Sequence, residues 1–350
     1  MRVMPCTHRA AVCTALEGPD CVTTSDVPDA QAGPGTVRVA VRAAGVNYPD
    51  YLLTRGEYQL KLEPPFTPGM EVAGIVAECG PTAGRSTPWP VGAPVIAWTA
   101  CGGFAEQVVV NTDAVFALPE PFSFAEGAAF TVAACTAYHA LVERGGLQSG
   151  ERLLVLGATG GVGFAAVQLA KLLGAQVVAV GSDDAKLAAV SAAGADHVVN
   201  YRDADLAHAV AALTSGIDVV FDAVGGDVAT RAIRLLAWGG RYLVVGFASG
   251  TIPEFKANRI LLNGISVIGV RAGEAARKHP IEFRRSIDVL LDWASEGLLR
   301  PHISHRFTLD DASAALATLS ERRVTGRVVI TVENQSCPNP SADQRFEETR

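Results

Sequence analysis

Apolar residues recur at two periods along the chain, and the change of period divides it. Over residues 1 to about 120 the apolar runs are short and extended. RVAVRAAGV (38–46) alternates, GMEVAGIVAECG (69–80) reads as a strand, and APVIAW (93–98) and FAEQVVV (104–110) follow. Pro and Gly stand between them, as in TPWPVGAP (87–94), which predicts a closed or sandwich-like β unit. Near residue 123 the pattern changes. Ser123 followed by Glu126 predicts a capping box that opens a helix, SFAEGAAFTVAACTAYHALVE. Strands and helices then alternate. RLLVLG (152–157), QVVAVG (176–181), HVVNY (197–201), DVVFDAVGG (218–226) and RYLVVGF (241–247) read as extended. FAAVQLAKLLGA (164–175), DDAKLAAVSAAGA (183–195), DLAHAVAALTSG (205–216) and VATRAIRLLAWGG (228–240) read as helical.

These later strands are continuous Val/Leu runs, as expected when both faces of a sheet are covered, and their crossover helices predict a right-handed parallel sheet. ISVIGV (265–270) adds one strand, apolar enough to be a liability at an edge unless it is paired. From 280 to 332 the chain predicts two more helices, in IEFRRSIDVLLDWASEGLL and LDDASAALATLSERR, and a last strand, GRVVITV. Residues 333–350 lack apolar periodicity and are expected to form a disordered tail. The fold class is α/β, in two domains: 1–122 with 272–332, and 123–271.

Composition narrows the function. A net charge of −7 disfavours partners held through a phosphate backbone, so no nucleic-acid role is expected. No apolar stretch reaches the ~18 residues of a membrane helix, and MRVMPCTHRA carries no signal-peptide pattern. The seven cysteines are scattered, odd in number and without a CxxC pair, and read as isolated buried thiols in a reducing, cytoplasmic setting. His302 and His305, beside Pro301, read as solvated loop rings rather than a metal pair.

The strongest chemical signal follows RLLVLG. The turn Gly157-Ala-Thr-Gly160-Gly161-Val162-Gly163 lies between a strand and a helix. There glycines permit a tight turn, a close backbone approach to a pyrophosphate and close packing of helix on strand, and the helix N-terminus offers free N–H groups to the anion. The spacing departs from GxGxxG by one residue. An NAD site usually carries Asp or Glu at the tip of the second strand. Here that strand ends in Gly181-Ser182, and Lys186 lies one turn into the next helix, which favours NADP(H). The competing readings are that Ser182 is a helix cap, that Lys186 is a solvated helix residue, and that Asp183 and Asp184 would repel a phosphate.

The order of these units resembles the medium-chain dehydrogenase/reductase superfamily over residues 8 to 332. That resemblance implies a GroES-like β-rich catalytic domain beside a Rossmann domain with a doubly wound parallel sheet. In the zinc-dependent members a cysteine and a histidine hold catalytic zinc. Here Asn47 and Met70 stand in their places, and neither side chain suits zinc. Glu71 is then expected to be a buried structural carboxylate, held by hydrogen bonds or an arginine. GVNYPD (45–50), RGEY (55–58), PGME (68–71), the Ala158–Gly163 turn and GADHVVNY (194–201) are similar to the zinc-independent quinone oxidoreductase branch. By that likeness Tyr201 joins Ser182 and Lys186 at a 2′-phosphate, and Thr136, Gly246 and Phe247 line the nicotinamide end. Val270-Arg271-Ala272-Gly273-Glu274 replaces the Trp-Gly of many relatives near the substrate mouth.

The implied activity is zinc-independent hydride transfer from NADPH to a quinone or an α,β-unsaturated carbonyl. Asn47 and Tyr58 are the candidate donors to the developing oxyanion, with Asp50 in the same motif and Tyr48 and Tyr51 nearby. Two other readings stand beside it. One is an enoyl-thioester reductase, for which Arg271 and Lys278 could bind a carrier phosphate. The other is a cofactor-bound scaffold with little turnover. A homodimer joined at the ISVIGV edge is expected.

Overall fold

The computed structural model describes residues 6–81, 89–203 and 205–333. The C-terminal segment expected as a tail lies, from residue 334 on, outside the described residues.

The first part of the chain contributes β1 (Thr7–Cys13), β2 (Val22–Pro28), β3 (Thr36–Val46), α1 (Tyr48–Thr54), β4 (Glu71–Cys79), β5 (Pro94–Trp98), β6 (Gln107–Asn111) and β7 (Val115–Ala117). After α2 (Phe124–Tyr138) come β8 (Arg152–Leu156), α3 (Gly161–Leu172), β9 (Gln176–Gly181), α4 (Asp184–Ala192), β10 (His197–Asn200), α5 (Leu206–Leu213), β11 (Ile217–Asp222), α6 (Gly226–Ala232), β12 (Leu236–Val244), α7 (Ala257–Leu262) and β13 (Ser266–Gly269). The chain closes with α8 (Ala272–Lys278), α9 (Pro280–Ser295), β14 (Ile303–Thr308), α10 (Ala312–Ser320) and β15 (Arg327–Thr331).

Strands β8 to β13 form one parallel sheet in the order β10-β9-β8-β11-β12-β13. This is a doubly wound Rossmann sheet, whose order reverses at β8 and opens a crevice at the strands' carboxyl ends. Burial explains its Val/Leu runs. Leu153 and Val155 of β8 face the core beneath α2 and α3, while Leu154 and Leu156 face the core on the other side, and all four are fully buried. Burying one such side chain is worth about 1.5–3 kcal/mol. β13 is an edge strand of this sheet.

The GroES-like unit is a mostly antiparallel sheet in the order β14-β15-β3-β4-β5-β7, with β6 paired to β3. Its last strand, β15, returns from the far end of the chain to lie beside β3. The capping box at the start of α2 is present: the Ser123 hydroxyl accepts from the Glu126 N–H, and the Ser123 N–H donates to the Glu126 carboxylate at 2.8 Å.

Three expectations need correction. Residues 236–240 were expected to be helical, but β12 begins at Leu236, which pairs with Ile217 of β11. Gly239, at φ 75°, breaks helical periodicity, and pairing with a buried central strand outweighs the local apolar pattern. His305 lies in β14 rather than in a loop, and the His302 ring stacks on Phe164 with centroids 5.0 Å apart. Among the described cysteines only Cys13 and Cys135 are buried, and Cys6 is exposed.

Candidate active site

The crevice at the carboxyl ends of the parallel strands is built by local chain geometry. β8 ends at Leu156, and Gly157 turns the chain at φ 72°. A Cβ on Gly163 would overlap the carbonyl oxygen of Gly157, so only glycine lets α3 start this close to its strand. α3 has Gly160 as its N-cap and no side-chain cap, and a Cβ on Gly160 would meet nothing nearer than 3.5 Å. Uncapped N–H groups beside open space at a helix N-terminus fit a pyrophosphate. Gly161 packs against Arg327, and Val162 is the second residue of the helix.

The tips of β9 and β10 bring Ser182 and Tyr201 together, with the Tyr201 N–H donating to Gly181 O at 3.0 Å. Both side chains are partly exposed, as is Lys186. The cap of α4 is Asp183, whose carboxylate accepts from the Lys186 N–H at 3.0 Å, so Ser182 is free of that duty. Asp184 accepts from Asn200 Nδ2 at 3.0 Å. Each carboxylate therefore has a local partner. Lys186 Nζ donates to Arg322 O, a contact from the loop between α10 and β15. Burial pulls the Lys186 pKa below its usual value. Arg322 is a residue that sequence reasoning missed. It holds φ 54°, an unusual conformation for a non-glycine residue, which marks the loop as constrained.

At the other end of the crevice, the Gly246 N–H donates to Asp222 O at 3.1 Å, and Phe247 is 37% exposed. The Asp222 side chain accepts from Val224 N–H, Gly225 N–H and the buried Tyr242 hydroxyl at 2.8–2.9 Å. Burial raises the Asp222 pKa. Thr136 of α2 donates to Val132 O at 2.7 Å.

A buried polar network ties the GroES-like sheet to α2. Glu71, fully buried at the start of β4, pairs with Arg327 at the start of β15. Its other oxygen accepts from the Val132 N–H of α2 at 2.8 Å. Arg327 also donates to Ala129 O at 2.9 Å and to Asn47 Oδ1 at 2.8 Å. Asn47 Nδ2 donates to Glu71 at 3.0 Å and reaches Gly45 O at 3.3 Å. Four elements are thus tied by one network. Burial raises the Glu71 pKa, opposed by Arg327, the Val132 N–H and Asn47.

Asn47 also begins α1. Its N–H donates to Asp50 Oδ2 at 2.9 Å, and Asp50 Oδ1 accepts from the Gly69 N–H at 3.0 Å. Asp50 therefore locks the segment ahead of Met70 to α1. With no exposure to water, its carboxyl is raised to about 7. Tyr58 follows α1 in a loop, half-buried, and its hydroxyl has no hydrogen-bond partner among the described residues. Burial raises its pKa, which keeps the phenol protonated, while Arg271 draws it back. Tyr48 and Tyr51 sit beside each other, ring centroids 5.6 Å apart, with Arg55 over Tyr51.

Comparison with known proteins places this arrangement. Residues 33–120 match the family model described as alcohol dehydrogenase GroES-like domain, and residues 161–292 match zinc-binding dehydrogenase. Quinone oxidoreductase-like protein 2 from Bos taurus is 36% identical over 329 residues, 93% of each chain. The chain belongs to the quinone oxidoreductase branch of the medium-chain dehydrogenase/reductase superfamily. Two solved structures are similar to it. A probable oxidoreductase from Mycobacterium abscessus has TM-score 0.85 and 38% identity, covering 94% of this chain and 100% of its own. The quinone oxidoreductase from Thermus thermophilus, whose structures include an NADPH complex, has TM-score 0.80 and 34% identity, covering 92% and 99%.

Within the medium-chain superfamily the place of zinc here has a physical answer. The Asn47 carboxamide oxygen already accepts from a guanidinium, and the same guanidinium neutralises Glu71. A second cation there would face Arg327. The residues do not fit zinc. Among the described residues, no group of three or more His, Cys, Asp or Glu side chains converges. Arg327 is the second residue that sequence reasoning missed by number. The signal was a charged residue heading the apolar strand RVVIT.

Proposed function

We propose that this chain is an NADPH-dependent, zinc-independent reductase of quinones or α,β-unsaturated carbonyl compounds. The observation that carries the reading is the Arg327 guanidinium on Asn47 and Glu71, a fixed cation where a catalytic zinc would have to sit, packed against Gly161 of the glycine turn. The NADPH complex of the Thermus relative and the quinone oxidoreductase-like relatives support it. Gly160, Gly161, Val162 and Gly163 would hold the pyrophosphate, Ser182, Lys186 and Tyr201 the 2′-phosphate, and Thr136, Gly246 and Phe247 the nicotinamide end.

When bound, NADPH would supply a hydride, with its electron pair, to the β-carbon of an enone or to a quinone ring. The protein must meet the negative charge that develops on the carbonyl oxygen. Tyr58 is suited to this, because burial keeps its phenol protonated and its hydroxyl has no partner among the described residues. A proton from solvent then completes the product. Asn47 holds Glu71 and Arg327 in register, and Asp50 holds Gly69. Both are positioning residues in this reading.

We propose further that the enzyme is a cytoplasmic homodimer. Beside the β13 edge, Trp238 is 80% exposed, Leu261 78% and Leu262 70%, an apolar patch of the kind that marks an interface. The Trp238 ring lies over Gly264, in the turn between α7 and β13. The free cysteines fit a reducing compartment.

The test is NADPH oxidation against quinones, enones and enoyl thioesters, with a chelator control. Turnover that survives chelation is expected. Loss of turnover on chelation, restored by zinc, would refute the metal-free reading. Tight NADPH binding with no acceptor reduced would make the protein a scaffold.

A further inference from the structure

The parallel sheet carries Arg271, a cation unpaired among the described residues, at its carboxyl end. β12 and β13 run side by side, Val244 opposite Gly269, and the Val270 N–H donates to Val244 O at 2.9 Å. The two strands therefore end level. One leads to Gly246 and Phe247, the other to Arg271. Arg271 is exposed and makes no hydrogen bond or ion pair among the described side chains. It still acts on Tyr58, the phenol assigned to the acceptor carbonyl, and lowers its pKa through space.

Four other cations of α8 and of the α1 end are committed elsewhere. Arg277 and Lys278 both turn to Glu274, at 2.6 and 3.8 Å. Arg55 pairs with Glu57 at 2.9 Å, and Lys61 donates to Gly56 O at 2.6 Å. Lys278 is thus partly neutralised by contact. Arg271 reaches Glu274 only through space. In a chain of net charge −7, a guanidinium exposed at the carboxyl end of the sheet and unpaired among the described residues suits an anion.

We propose that Arg271 binds an anionic group on the acceptor, so that this enzyme selects negatively charged conjugated carbonyl compounds over neutral ones of equal reactivity. The inference rests on the reductase reading above and names its substrate class. Arg271 is a specificity residue that touches the far part of the acceptor, while Tyr58 meets the carbonyl. A guanidinium serves a phosphate or a carboxylate alike, and the source of the anion is an arm of the test.

The experiment compares the native protein with Arg271→Ala and Arg271→Lys on two matched pairs. Crotonyl-4′-phosphopantetheine and crotonyl-pantetheine differ in phosphate charge alone. trans-4-Oxo-2-pentenoate and its methyl ester differ in carboxylate charge. In at least one pair, Arg271→Ala should lower the charged-to-neutral ratio of kcat/KM about tenfold, as expected for loss of one charge-assisted contact. The change should lie in KM, be partly rescued by Arg271→Lys, and shrink as salt rises. The pair that responds identifies the anion. Unchanged ratios in both pairs would overturn the inference, as would a matching rise in the Kd for NADPH, which would assign Arg271 to the cofactor. Reduction of no acceptor by any of the three proteins would refute the reductase reading, and this inference with it.

Discussion

Consider replacing Arg327 by methionine. The change removes a guanidinium that is 6% exposed and leaves three groups behind it. Glu71 loses its counter-charge with no exposure to water, and Asn47 Oδ1 and Ala129 O each lose a donor. Breaking one side of a buried pair typically destabilises by about 3–5 kcal/mol, because the remaining charge stays buried. Unfolding entropy near 2.1 cal/mol/K per residue gives roughly 0.7 kcal/mol/K for a chain of 350 residues melting as one unit, so the midpoint should fall by about 4–7 °C. Burial already raises the Glu71 pKa, and Arg327 is the main opposing influence. A carboxyl whose folded pKa is raised gives stability that is complete below its unfolded value and is lost as pH climbs through the folded value. Without Arg327 that window extends upward, so the deficit should be smaller at pH 5 than at pH 8. Urea unfolding at both pH values, with Glu71→Gln and the double variant, closes a cycle. A coupling energy of about 2 kcal/mol or more is expected for groups in one network. A single-variant loss below about 1 kcal/mol, the range of solvated surface pairs, would refute the claim that this pair is sealed.

Other outcomes follow from the same structure. Asp50→Ala should destabilise by about 1–3 kcal/mol by freeing the Asn47 and Gly69 N–H groups, in urea titration. Because Asp50 moves from 3.8 unfolded to about 7 folded, native stability should decline across that interval as pH rises, and Asp50→Ala should flatten the decline. Lys186→Ala should weaken NADPH binding about 10- to 100-fold in fluorescence titration while leaving NADH binding near its starting value, if Lys186 meets the 2′-phosphate. Tyr58→Phe should lower kcat about tenfold or more and leave the Kd for NADPH within twofold; unchanged turnover would remove it from the mechanism. Trp238→Glu should shift sedimentation from dimer to monomer, and an unchanged profile would refute the proposed interface.

The sheet was readable because its cause is local to the sequence. A strand covered on both faces needs apolar residues without alternation, and β8 supplies four fully buried ones in succession. The positions of the glycine turn, Ser182 and Tyr201 were readable for a similar reason, since they directly follow the adjacent strands β8, β9 and β10, while Lys186 stands in the first turn of α4. LAWGG was misread because strand pairing with Ile217 is a tertiary event, invisible in a 13-residue apolar window. The buried network shows the deeper limit. That Glu71 needed a partner follows from one carboxylate inside an apolar run. That the partner is Arg327, 256 residues away, follows only from β15 returning beside β3. Residue type gave Asn47 as a hydrogen-bond donor, but which way its amide is turned depends on that return. The amide faces Arg327 and Glu71, so its reach toward an acceptor is determined by a charge pair the chain assembles from its two ends.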